Sequence, residues 1–330
     1  MKICLSRSMG GLGDIVCLEP VLRTARQRFP DAYITLALPD PYVQLYLGNR
    51  TVDKVHPVKG DYAEIRKLAK QHDLWFPLEG YENKHIFEND GRMTKSRIEV
   101  WCETINPDVK DGCLQGSNRL VDDLCPHWEP RESERQACRE QMKEHGIEPG
   151  QAVVVHWGSK SSAKDYPYTL DLVRLLVASG HKVMVVHDTR LPDMGGAIEV
   201  LNVPLRELGC IVEQAGLTIG PDSGISHLSA ATGTPNISIC SVTDGSVYFS
   251  RHYPHCLVLQ NTQTEGKPCA GKAPCWALPS IFWCGRRPRQ AAWCMEVYTP
   301  ERLLKIIEQR LKEYENYNRE RLFGPSNPTT

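Results

Sequence analysis

The residues best suited to chemistry follow a short apolar segment in the second half of the chain. Asp222, Ser223 and Gly224 follow, after Pro221, the segment Leu217–Gly220, which has the length and character of a buried strand. They also open a stretch of helical character, and a helix N-terminus offers unpaired N–H groups and a positive dipole end. Small residues there let an anion approach closely. The pattern predicts a phosphate or diphosphate site, with His227 one turn further on; a capped helix with a buried histidine is the alternative.

A second group lies near the N-terminus, in the glycine-rich run Met9–Ile15. Gly11 and Gly13 let the backbone turn tightly and approach a ligand. A dinucleotide-binding loop needs a third glycine where this sequence has Val16, so a nicotinamide or flavin enzyme is disfavoured. Asp14 can accept a proton from a hydroxyl or cap a helix, and the sequence leaves both roles open.

Four of the 13 cysteines form a third group near the C-terminus. They lie in a tryptophan-rich segment, 266–295, that carries basic residues and no acid. The four are Cys269, Cys275, Cys284 and Cys294. Four thiolates can hold a structural Zn or Fe ion, but the spacing lacks a Cys-x2-Cys pair, so free thiols and disulfides stay open. A basic, aromatic surface that meets an anionic glycolipid or a partner protein is a further hypothesis.

Length and composition limit the class of protein. The chain has 330 residues, of which 41% are hydrophobic, and a formal net charge of -1. This length exceeds the usual ceiling for one core, so two domains are predicted, and the charge gives no indication of nucleic acid as a partner. No apolar run reaches the about 18 residues of a membrane span, and the N-terminus lacks the features of a signal peptide. We therefore expect a cytoplasmic protein whose scattered cysteines are thiols.

The elements that must position these groups alternate between strand and helix in both halves. Strands are predicted at Lys2–Ser6 and Tyr33–Leu38, with a helix between them that Pro20 should kink or split. The alternation starts again after Gly150. The strands predicted there are Val153–His156, Val183–His187, Leu217–Gly220 and Asn236–Cys240. This order predicts an α/β protein with two doubly wound domains of parallel sheet, whose ligands bind at the carboxyl ends of the strands.

Both glycine-containing motifs resemble those of a known family. Gly220–Leu228, with Gly233–Pro235, looks like the donor-site signature of the ADP-heptose:lipopolysaccharide heptosyltransferases, glycosyltransferase family 9. Gly11–Val16, with Pro20 and the later Phe29-Pro30, matches that family's opening motif. The resemblance covers most of the second half and is weak in the middle of the first half, where family members recognise their acceptors.

The resemblance implies the GT-B fold, which has two Rossmann-like domains and an interdomain cleft. Residues 1–148 would bind the acceptor and residues 149–298 the nucleotide-sugar donor. A helix at 299–322 would pack back toward the first domain, and a tail at 323–330 is expected to be disordered.

The resemblance also implies an inverting transfer that needs no catalytic metal. Asp14 matches the family's proposed general base. Lys164 matches the lysine that neutralises phosphate, although Lys160 nearby leaves the choice of lysine open. The donor site would further include Ser159, Ser161, Asp222, Ser223, Gly224 and His227. Arg206 departs from the pattern, because an acid that grips the nucleotide ribose is expected there.

We therefore expect a glycosyltransferase, cytoplasmic or at the inner face of the membrane, that moves a sugar from a nucleotide diphosphate to a glycan, lipopolysaccharide or protein hydroxyl. Heptose from ADP-heptose is the expected donor sugar. Catalysis would need no cofactor, and Zn or Fe on the C-terminal cysteines would be structural. The alternatives are a sugar-nucleotide epimerase or hydrolase, which would need groups such as His187, Asp188 or His252 in the site, and a catalytically silent binding module. The oligomeric state stays open.

Overall fold

Two successive strand–helix alternations fold into two separate units. The computed structural model describes residues 1–89, 93–106, 109–110, 113–114, 124–159, 161–189, 191–262 and 291–324. The units are residues 1–128 and 129–330. Each contains its own parallel sheet, as the α/β pattern predicts.

The first unit is built on four parallel strands in the order β3-β2-β1-β4. Ile3, Cys4 and Leu5 of the central strand are fully buried, as expected where helices cover both faces of a sheet. The strands are β1 (Lys2–Ser6), β2 (Tyr33–Pro39), β3 (Lys54–Val58) and β4 (Leu74–Pro77), and an antiparallel pair, β5 (Val109–Lys110) and β6 (Cys113–Leu114), follows. The helices are α1 (Leu12–Val16), α2 (Leu18–Arg28), α3 (Tyr62–Ala69), α4 (Leu78–Glu88) and α5 (Arg97–Ile105), with a 3-10 helix at Asp40–Tyr46.

The helix predicted after β1 is split, as Pro20 indicated. The break falls at Cys17, between α1 and α2, so that Pro20 lies in the first turn of α2. A first-turn residue has no intrahelical partner for its N–H, and proline there costs no hydrogen bond. The short α1 keeps Asp14 at the carboxyl edge of the sheet, where ligands of this fold class bind.

The second unit is built on six parallel strands in the order β12-β11-β10-β7-β8-β9. All four strands predicted there are present. The strands are β7 (Ala152–His156), β8 (Lys182–His187), β9 (Ile198–Leu201), β10 (Leu217–Pro221), β11 (Asn236–Cys240) and β12 (Cys256–Gln260). The helices are α6 (Glu132–Glu144), α7 (Thr169–Ala178), α8 (Leu205–Gln214), α9 (Gly224–Thr232), α10 (Pro300–Glu313) and α11 (Glu315–Phe323), with a π-helix at Ser246–Ser250 and a 3-10 helix at Trp293–Met295.

Helix α6 lies with the second unit, although it precedes that unit's first strand. Arg206 of α8 donates two hydrogen bonds of 2.6 Å to Glu134 of α6. Arg135 of α6 donates one of 2.8 Å to Glu213 of α8. The division between the units therefore falls before α6, earlier than the boundary expected after residue 148. The segment before α6 and α6 itself are rich in charge and proline, a composition typical of a connection between domains.

Helix α10 begins next to residue 299, where the helix at 299–322 was expected to start. The hydroxyl of Thr299 caps it by accepting from the N–H of Arg302 at 3.4 Å, and Pro300 is its first residue. Leu303 and Ile307 are fully buried in the core of the second unit. The apolar stripe of this helix therefore packs on its own unit; a return toward the first unit stays a prediction.

Helix α11 is tied to the same unit by hydrogen bonds to backbone carbonyls. Asn318 donates to Gly216 at 2.8 Å, and Arg321 donates to Ala215 at 2.9 Å. The helix ends at Phe323, and residues 325–330 of the expected disordered tail lie outside the described residues. Among the described helices, none is both long and apolar enough to cross a membrane.

Candidate active site

The loop after β10 and the first turn of α9, residues 222–227 and here together called the donor loop, lie at the carboxyl edge of the six-stranded sheet. Strand β10, which leads into this segment, lies close to the neighbouring strand β7. This spacing depends on Gly220, because a Cβ there would lie 2.8 Å from Cβ of His156 on β7. Asp222 is only 7% exposed. Ser223 is the N-cap of α9, and Gly224 is its first residue. The structure thus places the predicted phosphate-binding residues at a helix N-terminus.

Asp222 is paired with Lys164, the lysine that the family resemblance indicates. Nζ of Lys164 donates to Oδ2 of Asp222 at 2.7 Å, and the hydroxyl of Thr243 donates to the same oxygen at 2.5 Å. Burial alone would raise the pKa of Asp222, but Lys164 and Thr243 outweigh it and the pKa is lowered. The loop therefore holds an ionised carboxylate and an ammonium group beside a helix N-terminus.

Ser159 and Ser161 shape the loop that carries Lys164. The N–H of Ser159 donates to Oδ1 of Asp165 at 2.7 Å, and its hydroxyl donates to the carbonyl of Ser161 at 2.7 Å. The N–H of Lys164 closes the turn by donating to the same carbonyl at 2.8 Å. These contacts fix the backbone from which the lysine extends. Lys160, the other candidate lysine, lies outside the described residues.

The hydroxyl of Ser223 is an unusual feature of the donor loop. An N-cap serine normally accepts a hydrogen bond from the first turn of its helix. Here the side chain makes no such bond, and its Oγ is buried without a hydrogen-bond partner among the described residues. A buried polar group of this kind needs a partner, and a bound anion or sugar hydroxyl can supply one.

His227 lies one turn into α9 and is held by two aromatic residues. Its Nδ1 lies 2.6 Å from the hydroxyl of Tyr253, and its ring centroid is 4.8 Å from that of Phe249. The ring is 6% exposed. Its charge, when present, would act with Lys164 to lower the pKa of Asp222.

Thr243 and the residues that hold it were not predicted from the sequence. The side chain of Gln260, at the end of β12, donates to the carbonyls of Thr243 and Ser241 and accepts from the N–H of Gly245. The hydroxyl of Ser241 donates to the carbonyl of Ala163 at 2.6 Å, beside Lys164. Thr243 follows strand β11, which lies beside β10, and the carboxyl ends of neighbouring parallel strands lie at the same edge of the sheet. Its position after a predicted strand was therefore the sequence signal that could have identified it.

In the first unit, Asp14 lies at the third position of α1, not at its N-cap, which is Gly11. Its Oδ2 accepts from the N–H of Gly11 at 2.6 Å. Gly10 allows this, because it has a φ of +129° and a Cβ there would lie 2.6 Å from the same oxygen. One oxygen of Asp14 thus stabilises the start of the helix, and the N–H of Gly11 is already hydrogen-bonded to it. Gly13 lies buried within α1.

The other oxygen of Asp14 belongs to a cluster of four charged side chains. Arg7, Asp14, Glu82 and Arg97, here called the charge cluster, come from the end of β1 and from α1, α4 and α5. Oδ1 of Asp14 lies 3.4 Å from Nη2 of Arg7 and also contacts Arg97. Burial raises the pKa of Glu82, although Arg7 acts to lower it. These residues are far apart in sequence, and no local pattern predicts the cluster.

Two further positions named from the sequence are engaged within the second unit. Arg206 forms the ion pair with Glu134 described above and holds the pKa of that carboxyl at about 2, chiefly through its hydrogen bonds. His187 lies with Nε2 3.2 Å from Oε1 of Glu199 and with Nδ1 against the carbonyl of Thr189. The position where a ribose-binding acid was expected thus serves the contact between α6 and α8.

Only one member of the cysteine group lies within the described residues. Cys294 is buried, whereas Cys269, Cys275 and Cys284 lie outside them. Within the described part of the chain, no group of three His, Cys, Asp or Glu side chains is arranged to hold a metal ion. The structural Zn or Fe site stays a prediction.

One family of known proteins matches the chain in sequence. The sequence model of "Glycosyltransferase family 9 (heptosyltransferase)" matches residues 201–270, which include the donor loop and Thr243. A search of curated protein sequences finds no match.

Several solved structures are similar over nearly the whole chain. E. coli ADP-heptose lps heptosyltransferase II has 15% identity and a TM-score of 0.67, covering 96% of this chain and 100% of its own. The glycosyl transferase family 9 protein from Veillonella parvula DSM 2008 has 17% identity and a TM-score of 0.66, covering 94% and 97%. The iron-containing dodecameric glycosyltransferase TibC from enterotoxigenic E. coli H10407 has 14% identity and a TM-score of 0.63, covering 94% and 76%.

The structural likeness shows the fold, which is GT-B with two Rossmann-like domains. The family model matches within the segment that carries the predicted donor loop. Together they confirm the resemblance to glycosyltransferase family 9 that the two sequence motifs indicate, and the chain is a glycosyltransferase.

Proposed function

We propose that the enzyme transfers a heptose from ADP-heptose to a hydroxyl group of a glycan, lipopolysaccharide or protein acceptor, with inversion at the anomeric carbon. The observation that carries the donor half of this proposal is the donor loop: a helix N-terminus, an adjacent ammonium group on Lys164, and the hydroxyl of Ser223, which has no partner within the described part of the chain. The name of the similar E. coli enzyme, an ADP-heptose lps heptosyltransferase, supports the choice of donor.

The reaction would be a single displacement. The acceptor oxygen forms a bond to the anomeric carbon, the bond from that carbon to the diphosphate oxygen breaks, and the hydroxyl proton passes to Asp14. A positioned general base contributes about 10²–10⁴-fold to such a step. Fixed donors aimed at the leaving group stabilise its developing charge by about 3–4 kcal/mol each. In this proposal, Lys164 and the N–H groups that open α9 act in this way.

Donor binding gives the first test. We expect an ADP-sugar to raise the melting temperature more than GDP-, UDP- or CDP-sugars do, because a ligand that binds only the folded state stabilises it. The Lys164→Gln variant should bind the same ligand about 10–100-fold more weakly by calorimetry, the usual value of a hydrogen bond to a charged group.

A matched control is Lys182→Gln, since Lys182 is an exposed lysine at the amino end of β8, the opposite edge of the same sheet. It should bind like the wild type. Equal weakening in both variants, or no stabilisation by any of the four nucleotide sugars, would contradict the proposed donor site.

The acceptor, the cytoplasmic location and contact with the membrane surface stay predictions. A metal ion on the C-terminal cysteines also stays a prediction. The similar TibC is named as iron-containing and dodecameric, which favours iron as that metal.

A further inference from the structure

The charge cluster of the first unit has a closed pattern of contacts. Arg7 reaches Oε2 of Glu82 at 2.9 Å through Nη1 and Oδ1 of Asp14 at 3.4 Å through Nη2. Arg97 reaches Oε1 of Glu82 at 3.5 Å through Nη2 and contacts Oδ1 of Asp14 through Nη1. Each guanidinium thus bridges both carboxylates. All four side chains are 16% exposed or less, so solvent screens them weakly.

The surrounding residues hold the cluster in place. The guanidinium of Arg7 lies over the ring of Trp101 at 5.2 Å, and Trp101, fully buried, donates to the carbonyl of Leu78 at 2.9 Å. Arg97 is the first residue of α5, whose N-cap Ser96 and Glu99 satisfy each other's backbone N–H groups. The four charges therefore sit on two helix starts, a strand end and the middle of α4, with little freedom to rearrange.

The charges of the cluster bear on the proton affinity of Asp14. Two guanidinium groups within contact distance favour the charged form of a carboxylate and so make it a weaker base. Glu82 offsets one of these positive charges. Glu79, also on α4, is a further nearby acid, but it accepts hydrogen bonds from the backbone and hydroxyl of Ser8.

We propose that Glu82 is a positioning residue for sugar transfer: it holds Arg7 and Arg97 and offsets their charge, so that Asp14 stays oriented and can accept the proton of the acceptor. The inference rests on the proposed role of Asp14 as general base. When Asp14 takes up the proton its charge is lost, and Glu82 remains as the partner of both guanidinium groups.

Neutral and charge-conserving substitutions test this role. Glu82→Gln should lower kcat about tenfold, with the donor KM unchanged, because a weaker base slows the chemical step without altering donor binding. Glu82→Asp keeps the charge and should recover most of the loss. The control is Glu103→Gln: Glu103 lies on α5, the helix that carries Arg97, and the change removes its ion pair with Lys95, which is outside the cluster. It should leave kcat unchanged.

The pH dependence of kcat/KM distinguishes this role from a merely structural one, because a structural role would leave the acid limb of the pH profile where it is. Arg97→Gln removes a positive charge beside Asp14, so the pKa of the base should rise and the acid limb should move to higher pH by about one unit. In Glu82→Gln the limb should move the other way. An unmoved limb in Arg97→Gln, or a wild-type kcat in Glu82→Gln, would overturn the inference.

Melting temperatures of all variants are measured first, and kinetics are recorded where each variant is folded. Asp14→Asn separates this inference from the proposed function. If Asp14→Asn is as active as the wild type, the base assignment itself fails. If it loses at least 10²-fold while Glu82→Gln stays fully active, only the role of Glu82 fails.

Discussion

Gly10 is the single residue on which the placement of Asp14 depends most directly. Its φ of +129° is accessible to glycine and costly for residues with a side chain. A Cβ at this position would also lie 2.6 Å from Oδ2 of Asp14 and 2.9 Å from its Cβ. The family resemblance pointed to Gly11 and Gly13, but the steric requirement at this turn is at Gly10.

We predict that Gly10→Ala lowers kcat at least tenfold, because a carboxylate displaced by about 1 Å loses its alignment with the acceptor. Gly48→Ala is the matched control: Gly48 has a φ of +84°, and a Cβ added there would meet no atom of the described residues within 4 Å. The control should lose about 1 kcal/mol of unfolding free energy from backbone strain and keep its activity. Equal kcat in both variants would show that Asp14 does not depend on this turn.

At the scale of elements, the donor loop and Asp14 are each carried by a helix that starts at the carboxyl edge of its sheet, whereas Lys164 lies in the loop between β7 and α7. Helix α9 presents the donor loop, and α1 presents Asp14. Helix α8 starts at the same edge as α9, but its Arg206 is used to hold α6. We therefore expect the contact between α6 and α8 to affect the stability of the fold and not the binding of the donor.

The ion pair between Glu134 and Arg206 gives a prediction about pH. The folded pKa of Glu134, about 2, lies below its ordinary value of 4.5, so the pair stabilises the fold at neutral pH and loses this effect as pH falls from about 4.5 toward 2. Glu134→Gln should lower the unfolding free energy by about 1 kcal/mol at pH 7, the upper end for a partly exposed pair. Denaturant titrations should show the difference from wild type narrowing at acidic pH.

Glu140→Gln on the same helix is the control, because Glu140 is exposed and its carboxylate accepts from Gln136 rather than from a charged group. Its difference from wild type should stay constant with pH. A pH-independent difference for Glu134→Gln as well would contradict the assignment.

At the scale of the whole molecule, the second unit contains all of the residues that we propose to bind the donor. Residues 129–330 include the six-stranded sheet, a core of their own, the donor loop and Lys164. We predict that this fragment, expressed alone, unfolds cooperatively and is stabilised by the same nucleotide sugar as the full chain. Calorimetric melting with and without the ligand checks this, and a fragment that melts without a cooperative transition would contradict it.

The sequence predicted the parts of this architecture that repeat a strong local pattern. Four apolar runs predicted four strands of the second sheet, and Pro20 predicted the split between α1 and α2. The outer strands β9 and β12 were missed because edge strands are less buried and less continuously apolar. Asp222 and Lys164 were each named from motifs, but their pairing was not, and Glu82 and Arg97 have no local signal because only the tertiary fold brings them to Asp14.

The pairing of Lys164 with Asp222 also bears on how a reaction cycle would end. A lysine whose ammonium group already has a carboxylate partner shares its charge between that partner and the incoming diphosphate, so part of the attraction is cancelled. The same carboxylate then competes for the lysine when the nucleoside diphosphate is the product. We expect Asp222 to speed product departure in this way, at the expense of tighter substrate capture.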